Sequence, residues 1–302
     1  MKTETKADVY TRVTDKIIAD LEQGVRPWVK PWKAGNIEDR ITLPLRHNGV
    51  PYRGINVLLL WGETMENGYR SNRWMTFKQA LELGGNVRKG ERGSLVVYAN
   101  KIHKTEAGDN GEEIERDIAF MKGYTVFNAD QIENLPEGYQ VQPDAARPEP
   151  LQLIERAEAF FAKTGAIIRR GGNRAYYAPL LDVVQMPSAD AFKDAESDAA
   201  TQAHELTHWT SHPARLDRQL GKRFGDQAYA AEELIAEMGA AFLCAQLGIT
   251  PEIREDHASY LDHWLTVLKA DKRAIFTAAS QAQRACDYLF SLQGDAQSEV
   301  PA

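Results

Sequence analysis

Cysteine is scarce in this chain of 302 residues: Cys244 and Cys286 are the only two. Neither has metal-ligand spacing, and both lie in apolar, helical-looking stretches. A disulfide-stapled scaffold is thereby excluded, and the expected state of both thiols is reduced and buried, in keeping with the cytoplasm. No apolar run approaches the ~18 residues that a membrane helix needs. The first eight residues are polar and mixed in charge, unlike a signal or transit peptide. Internal repeats and extended low-complexity segments are also missing. What remains, 43% hydrophobic and 26% charged residues, is the composition of an ordinary folded protein long enough for two domains.

The net charge of −7 conceals an asymmetry. Residues 1–104 hold 18 Lys+Arg against 11 Asp+Glu, a net of +7, so the remaining 198 residues carry 36 − 18 = 18 basic and 43 − 11 = 32 acidic residues, a net of −14. Opposed halves suggest two domains with different partners, one of them polyanionic.

Val9, Val13, Ile17 and Leu21 recur every four residues and predict an amphipathic helix stopping near Gly24. Thr76 and Gln79 form a capping box for a second helix that ends at Gly84. Ser94 to His103 reads as a strand, and Glu106 to Asp117 as the tip of a long hairpin returning through Phe127. Four prolines between Pro136 and Pro150 mark a linker. Beyond it the pattern predicts a helix (Leu151 to Lys163), three short strands within 166–186, the helix bearing His204, a helix from Ala230 to Leu247, and further helices. The expected architecture is α+β: an α+β domain over residues 1–140, a linker over 141–150, and over 151–302 a mainly helical domain with a small sheet.

His204-Glu205-Leu206-Thr207-His208 carries the chemistry. Residues four apart lie on one face of a helix, so two imidazoles can meet one ion, while Glu205 can reach a water on it. Zinc draws such a water towards ionisation at neutral pH, which makes Glu205 the expected general base and then acid of peptide-bond hydrolysis. A catalytic zinc wants a third protein ligand. Glu232, Glu233 and Glu237 follow on an apolar helical stretch. Glu237 is the favoured ligand, because Gly239, Ala240 and Ala241 just beyond it allow close packing. Glu233 is its rival or a support for a ligand histidine, and Glu232 is read as a solvated charge. His212 precedes Pro213 and is expected to line the cleft or serve structure.

The basic half interleaves cations with aromatics: Arg26, Trp28, Lys30, Trp32 and Lys33, then Arg53, Arg70, Arg73, Trp74, Arg88, Lys89 and Arg92. Four of six tryptophans precede residue 75. Rings that stack on unpaired bases beside cations that track phosphates are how single strands are held without sequence reading.

The ordered series Val13-Thr14 with Lys16-Ile17-Ile18, Gly24 with Pro27-Trp28 and Pro31-Trp32, Asn48-Gly49 with Tyr52-Arg53-Gly54 and Asn56, Trp74 with Thr76 and Gln79-Ala80, and Val87 to Glu91 with Gly93 resembles the amino-terminal domain of ArdC-type antirestriction proteins. His204 to His208 and Glu232 to Phe242 resemble that family's zincin-like domain, so the likeness covers nearly the whole chain. It implies a plasmid-borne protein that binds single-stranded DNA and shields incoming conjugative DNA from restriction, with a metallopeptidase-like domain. The resulting expectation is one Zn2+ per chain, with another divalent metal as an alternative. Single-stranded DNA is the expected partner, with a restriction component as a conceivable protein substrate, and no membrane association. The rival readings are a DNA-binding protein whose metal is structural or idle, and a stand-alone peptidase whose basic domain recruits protein.

Overall fold

The computed structural model describes residues 8–28, 42–107, 113–139, 149–221, 227–250 and 260–294. Helix α1 (Val9–Glu22) opens with the Asp8 side chain accepting from the Thr11 N–H at 2.9 Å. Val13, Ile17 and Leu21 are buried along its one apolar face, as the four-residue spacing predicts. Strand β1 (Leu45–Arg46) leads to α2 (Ile55–Asn67), which starts after Gly54 and stops at the left-handed Gly68. Then follow β2 (Arg73–Met75), α3 (Phe77–Glu82) with the expected Thr76–Gln79 capping box, and β3 (Asn86–Val87).

The long pair β4 (Ser94–Ala107) and β5 (Glu113–Asn128) forms the hairpin, its strands running further towards the tip than the sequence suggests. A four-stranded sheet has the order β1-β2-β5-β4, parallel only between β1 and β2. Strand β6 (Ile132–Glu133) pairs with β3. At the open side of β4, the Asn56 side chain of α2 bonds both backbone groups of Val97, donating to its carbonyl at 2.8 Å and accepting from its N–H at 2.7 Å.

The second half begins with α4 (Pro150–Lys163), then a three-stranded sheet of order β7-β9-β8 from β7 (Ile167–Arg170), β8 (Tyr176–Ala178) and β9 (Val183–Met186). Among the described residues there follow the helices α5 (Ala195–Trp209), α6 (Ala228–Leu247), α7 (Leu261–Ala270) and α8 (Ala274–Ser291). Helix α6 is apolar around nearly its whole circumference and is buried almost throughout, as such a helix must be. The Ala-rich face of α8, with Ala278, Ala279, Ala282 and Ala285 buried, lets it pack closely on α6. Among the described residues no helix is long and apolar enough to cross a membrane.

The halves do not sit apart. Buried residues of both join in a single hydrophobic cluster. Trp28 meets Trp264 edge-on at 5.9 Å, Trp61 lies 5.8 Å from Phe242, and Tyr10 packs on Phe276 at 4.8 Å. Polar contacts close the seam: Thr14 Oγ1 donates to the Lys272 carbonyl at 2.7 Å, the Gly54 N–H donates to Gln283 at 3.0 Å, and Asp8 pairs with Lys272 and Arg53 with Asp287. Residues 141–148 of the expected linker lie outside the described residues. Cys244 and Cys286 are both buried and free, as expected, with burial pushing the Cys286 thiol up to about 12.

Candidate metal centre

Asp194 caps α5, accepting from the Ser197 N–H at 2.8 Å, and Glu196 and Asp198 occupy its first turn, where carboxylates complement the helix dipole. The helix then runs buried through His204 and Glu205. Helix α6 lies against it at very short range: a Cβ built on Gly239 would come within 2.5 Å of Thr207 Cγ2, so only glycine fits. That approach brings α6 carboxylates to the histidines.

His204 Nε2 and His208 Nε2 stand 3.1 Å apart, and the Glu233 carboxylate lies 3.6 Å from the first and 3.5 Å from the second. Three donors about 2.0–2.2 Å from a tetrahedral ion would be roughly 3.3–3.6 Å from one another. The donor set therefore fits a small divalent ion, and it is the one such cluster found among the described residues.

Glu237 departs from the expectation. Its Oε1 lies 3.7 Å from Nδ1 of His204, the nitrogen facing away from the cluster. The close helix approach that favoured Glu237 does occur, but one turn of α6 separates the two glutamates. Glu233 falls between the two imidazoles and Glu237 behind one of them. Glu232 departs further. It is not a solvated charge: its carboxylate takes His208 Nδ1 at 3.2 Å and Arg218 Nε at 3.1 Å. Arg218 also donates to Thr210 Oγ1 at 2.6 Å and to the Thr207 carbonyl at 2.7 Å. Each histidine thus has a carboxylate on the side of the nitrogen it turns away from the cluster, and at His208 the hydrogen bond with Glu232 fixes ring orientation and raises donor strength.

Charge is balanced tightly here. Burial works against a charged His208, yet its hydrogen bonds to the Glu232 and Glu233 carboxylates override it and push the imidazole up to about 10. Burial likewise opposes charge on Glu233, but His204 and His208 hold its carboxyl well below the usual range. Tyr229, one turn before Glu233 on α6, bonds Tyr260 hydroxyl to hydroxyl at 3.1 Å. Burial, that bond and Glu233 all raise its phenol. Sequence reasoning passed over Arg218, Tyr229 and Tyr260; the i, i+4 spacing of Tyr229 to Glu233 was the available signal. His212 accepts the Ala214 N–H at 3.1 Å in the turn after α5.

The expected DNA contacts divide. Trp28 and Trp74, 1% and 0% exposed, are core residues and offer no face to a base. Arg53 is paired with Asp287, Arg88 with Glu91 at 2.7 Å, and Arg73 is held by the His47 carbonyl and lies over the Tyr139 ring. Arg26 is half-buried, with Nη1 enclosed. Arg70, Lys89 and Arg92 are exposed and form no ion pair among the described residues. Lys30, Trp32 and Lys33 lie outside the described residues.

Comparison with known proteins matches this arrangement at both ends. Residues 7–127 fit the family model of the N-terminal domain of anti-restriction factor ArdC, and residues 155–281 that of a zincin-like metallopeptidase. The crystal structure of the antirestriction ArdC protein from the R388 plasmid, metal-free, is 48% identical, covers 95% of this chain and 98% of its own, and superposes with a TM-score of 0.79. The chain belongs to the ArdC family of antirestriction proteins. The Mn(II)-bound form of the same R388 protein, 47% identical, covers 96% of this chain and 100% of its own at a TM-score of 0.78. Among ArdC relatives, the uncharacterized protein y4eC of Sinorhizobium fredii is 42% identical over 97% of this chain and 95% of its own length. DNA primase TraC of Escherichia coli is 36% identical over 96% of this chain, which spans 28% of TraC. A divalent metal is supported for the ArdC fold by the zincin-like domain, the Mn(II)-bound relative and the donor set itself.

Proposed function

We propose that this antirestriction protein binds single-stranded DNA through its basic half and hydrolyses peptide bonds at a zinc site held by His204, His208 and Glu233. The observation that carries the hydrolytic reading is the convergence of those three donors beside Glu205. A bound zinc would supply Lewis acidity, making an adjacent water acidic and a substrate carbonyl electrophilic. Glu205, next to His204 on α5, takes the proton of the attacking water and returns it to the leaving amine. Glu232 with Arg218 orients His208. The Tyr229 hydroxyl, bonded to that of Tyr260, would donate to charge developing on the carbonyl oxygen.

The DNA reading rests on the net charge of +7 over residues 1–104 and on the exposed Arg70, Lys89 and Arg92, which form no ion pair among the described residues. Three measurements test the proposal together. Metal analysis of purified protein should find about one zinc per chain, lost in His204→Ala and His208→Ala. Glu205→Ala should keep the metal and lose both peptidase activity and protection of incoming DNA in cells carrying a restriction system. Protection undiminished in Glu205→Ala would separate antirestriction from hydrolysis and leave the metal a structural role.

A further inference from the structure

The β4–β5 hairpin changes character along its length. Near its root Val96 and Val126 are buried. Further out on the same face the register sets Tyr124 opposite Val96, Lys122 opposite Tyr98, and Phe120 opposite Asn100. Alternation along both strands therefore gathers Tyr98, Asn100, Phe120, Lys122 and Tyr124 on one side. Tyr98 lies 6.1 Å from Phe120 and 6.3 Å from Tyr124, ring centre to ring centre. Asn100 donates to the Tyr98 hydroxyl at 2.7 Å, which steadies the middle ring. Lys122 Nζ sits 5.5 Å over Phe120 and has no ion-pair partner among the described residues.

Tyr98 and Tyr124 are 48% and 46% exposed. A contiguous set of open aromatic rings is uncommon on a folded surface and marks a place where something binds. The chemistry narrows the occupant. The rings offer π-faces, and the Lys122 ammonium beside them offers a counter-charge to an anion. A duplex keeps its base faces inside its own stack and cannot use such a surface. An unpaired strand can, stacking bases on the rings while a phosphate meets the lysine.

We infer that the Tyr98–Phe120–Tyr124 face of the hairpin, with Lys122, is the seat on which single-stranded DNA stacks. The inference rests on the single-strand reading of the basic half and supplies the rings that the buried Trp28 and Trp74 cannot.

The test uses the full chain and a fluorescein-labelled oligo-dT of about 20 nucleotides, read by anisotropy across a salt series, with the matching duplex in parallel. Tyr98→Ala/Tyr124→Ala should weaken single-strand binding by roughly 5- to 150-fold per stacked base while Tyr98→Phe stays near wild type. Lys122→Gln should reduce the slope of log affinity against log salt by about 0.7. Wild-type affinity in the double alanine variant, with wild-type protein binding the strand, overturns this seat and leaves single-strand binding standing. An equal loss for duplex and single strand also overturns it, since stacking would not be the cause. Failure of wild type itself to bind oligo-dT removes the single-strand reading and this inference together. Metal content and melting temperature check the fold of the double variant. Should either fall, the salt slope of Lys122→Gln, which removes only an exposed side chain, decides.

Discussion

At the scale of single side chains, Glu233→Ala should loosen the metal far more than Glu237→Ala or Glu232→Gln. Glu233 faces both Nε2 atoms, whereas the other two carboxylates meet only the Nδ1 sides. Loss of an orienting carboxylate typically costs ~10–100-fold in metal affinity, and loss of a direct donor more. Competition titrations with a chelating dye would rank the three. Glu237→Ala emerging weakest would return the ligand role to Glu237. The meeting of His204 and His208 was legible in the sequence because it depends on spacing within one helix. Choosing among Glu232, Glu233 and Glu237 depends on how α6 is rotated against α5, and periodicity along one helix holds no information about that rotation. Arg218 was invisible for the same reason, since it meets Glu232 by way of a turn and not a repeat.

Among elements, the α5–α6 contact is set by glycine. Gly239→Ala places a methyl group against Thr207 and should destabilise the fold by about 1–3 kcal/mol, the usual cost of overpacking a tight core. It should also lower metal affinity, since the α6 donors would be pushed from the α5 histidines. Thermal unfolding with and without metal checks both effects. A melting temperature at the wild-type value would mean that the helices can part freely. The α1 cap gives a pH test. Its bonds to Lys272 first, then to the Thr11 N–H, lower Asp8 from an ordinary 3.8 to about 2. A carboxyl lowered by folding contributes stability above its ordinary pKa, and that contribution fades as pH falls from about 4 through about 2. The melting-temperature gap between wild type and Asp8→Asn should therefore be full above pH 4 and narrow below it. A constant gap across that window would mean that the charge of Asp8 does not matter. Elements with a clean period were legible: α1, α3 with its capping box, α4 and α6. Helix α2 was not, because Val57-Leu58-Leu59-Leu60-Trp61-Gly62 is buried all round and shows no polar face to set a period.

For the whole molecule, the shared core matters most. Val13, Ile17, Leu21 and Trp28 belong to the first half by sequence but share one cluster with Trp264, Ile275 and Phe242. A chain cut near residue 140 would leave that face uncovered. It should bind a hydrophobic dye such as ANS and aggregate, while the intact protein unfolds in one cooperative transition. Calorimetry showing two separate transitions, or a well-folded fragment, would contradict this. The charge split and the proline-rich stretch suggest two domains with different partners. They could not reveal that Trp28 and Trp61 serve the seam, since an aromatic placed for packing reads the same as one placed for a base. The Asn56 side chain has a consequence at this scale as well. A strand at the border of a sheet is an open invitation to a strand from another copy, and runaway pairing of that kind ends in fibrils. By occupying both backbone groups of Val97 on β4, a single amide interrupts the row of bonding groups close to the root of the hairpin. A protein that carries a long, ring-studded hairpin thereby keeps its neighbours from zipping onto it.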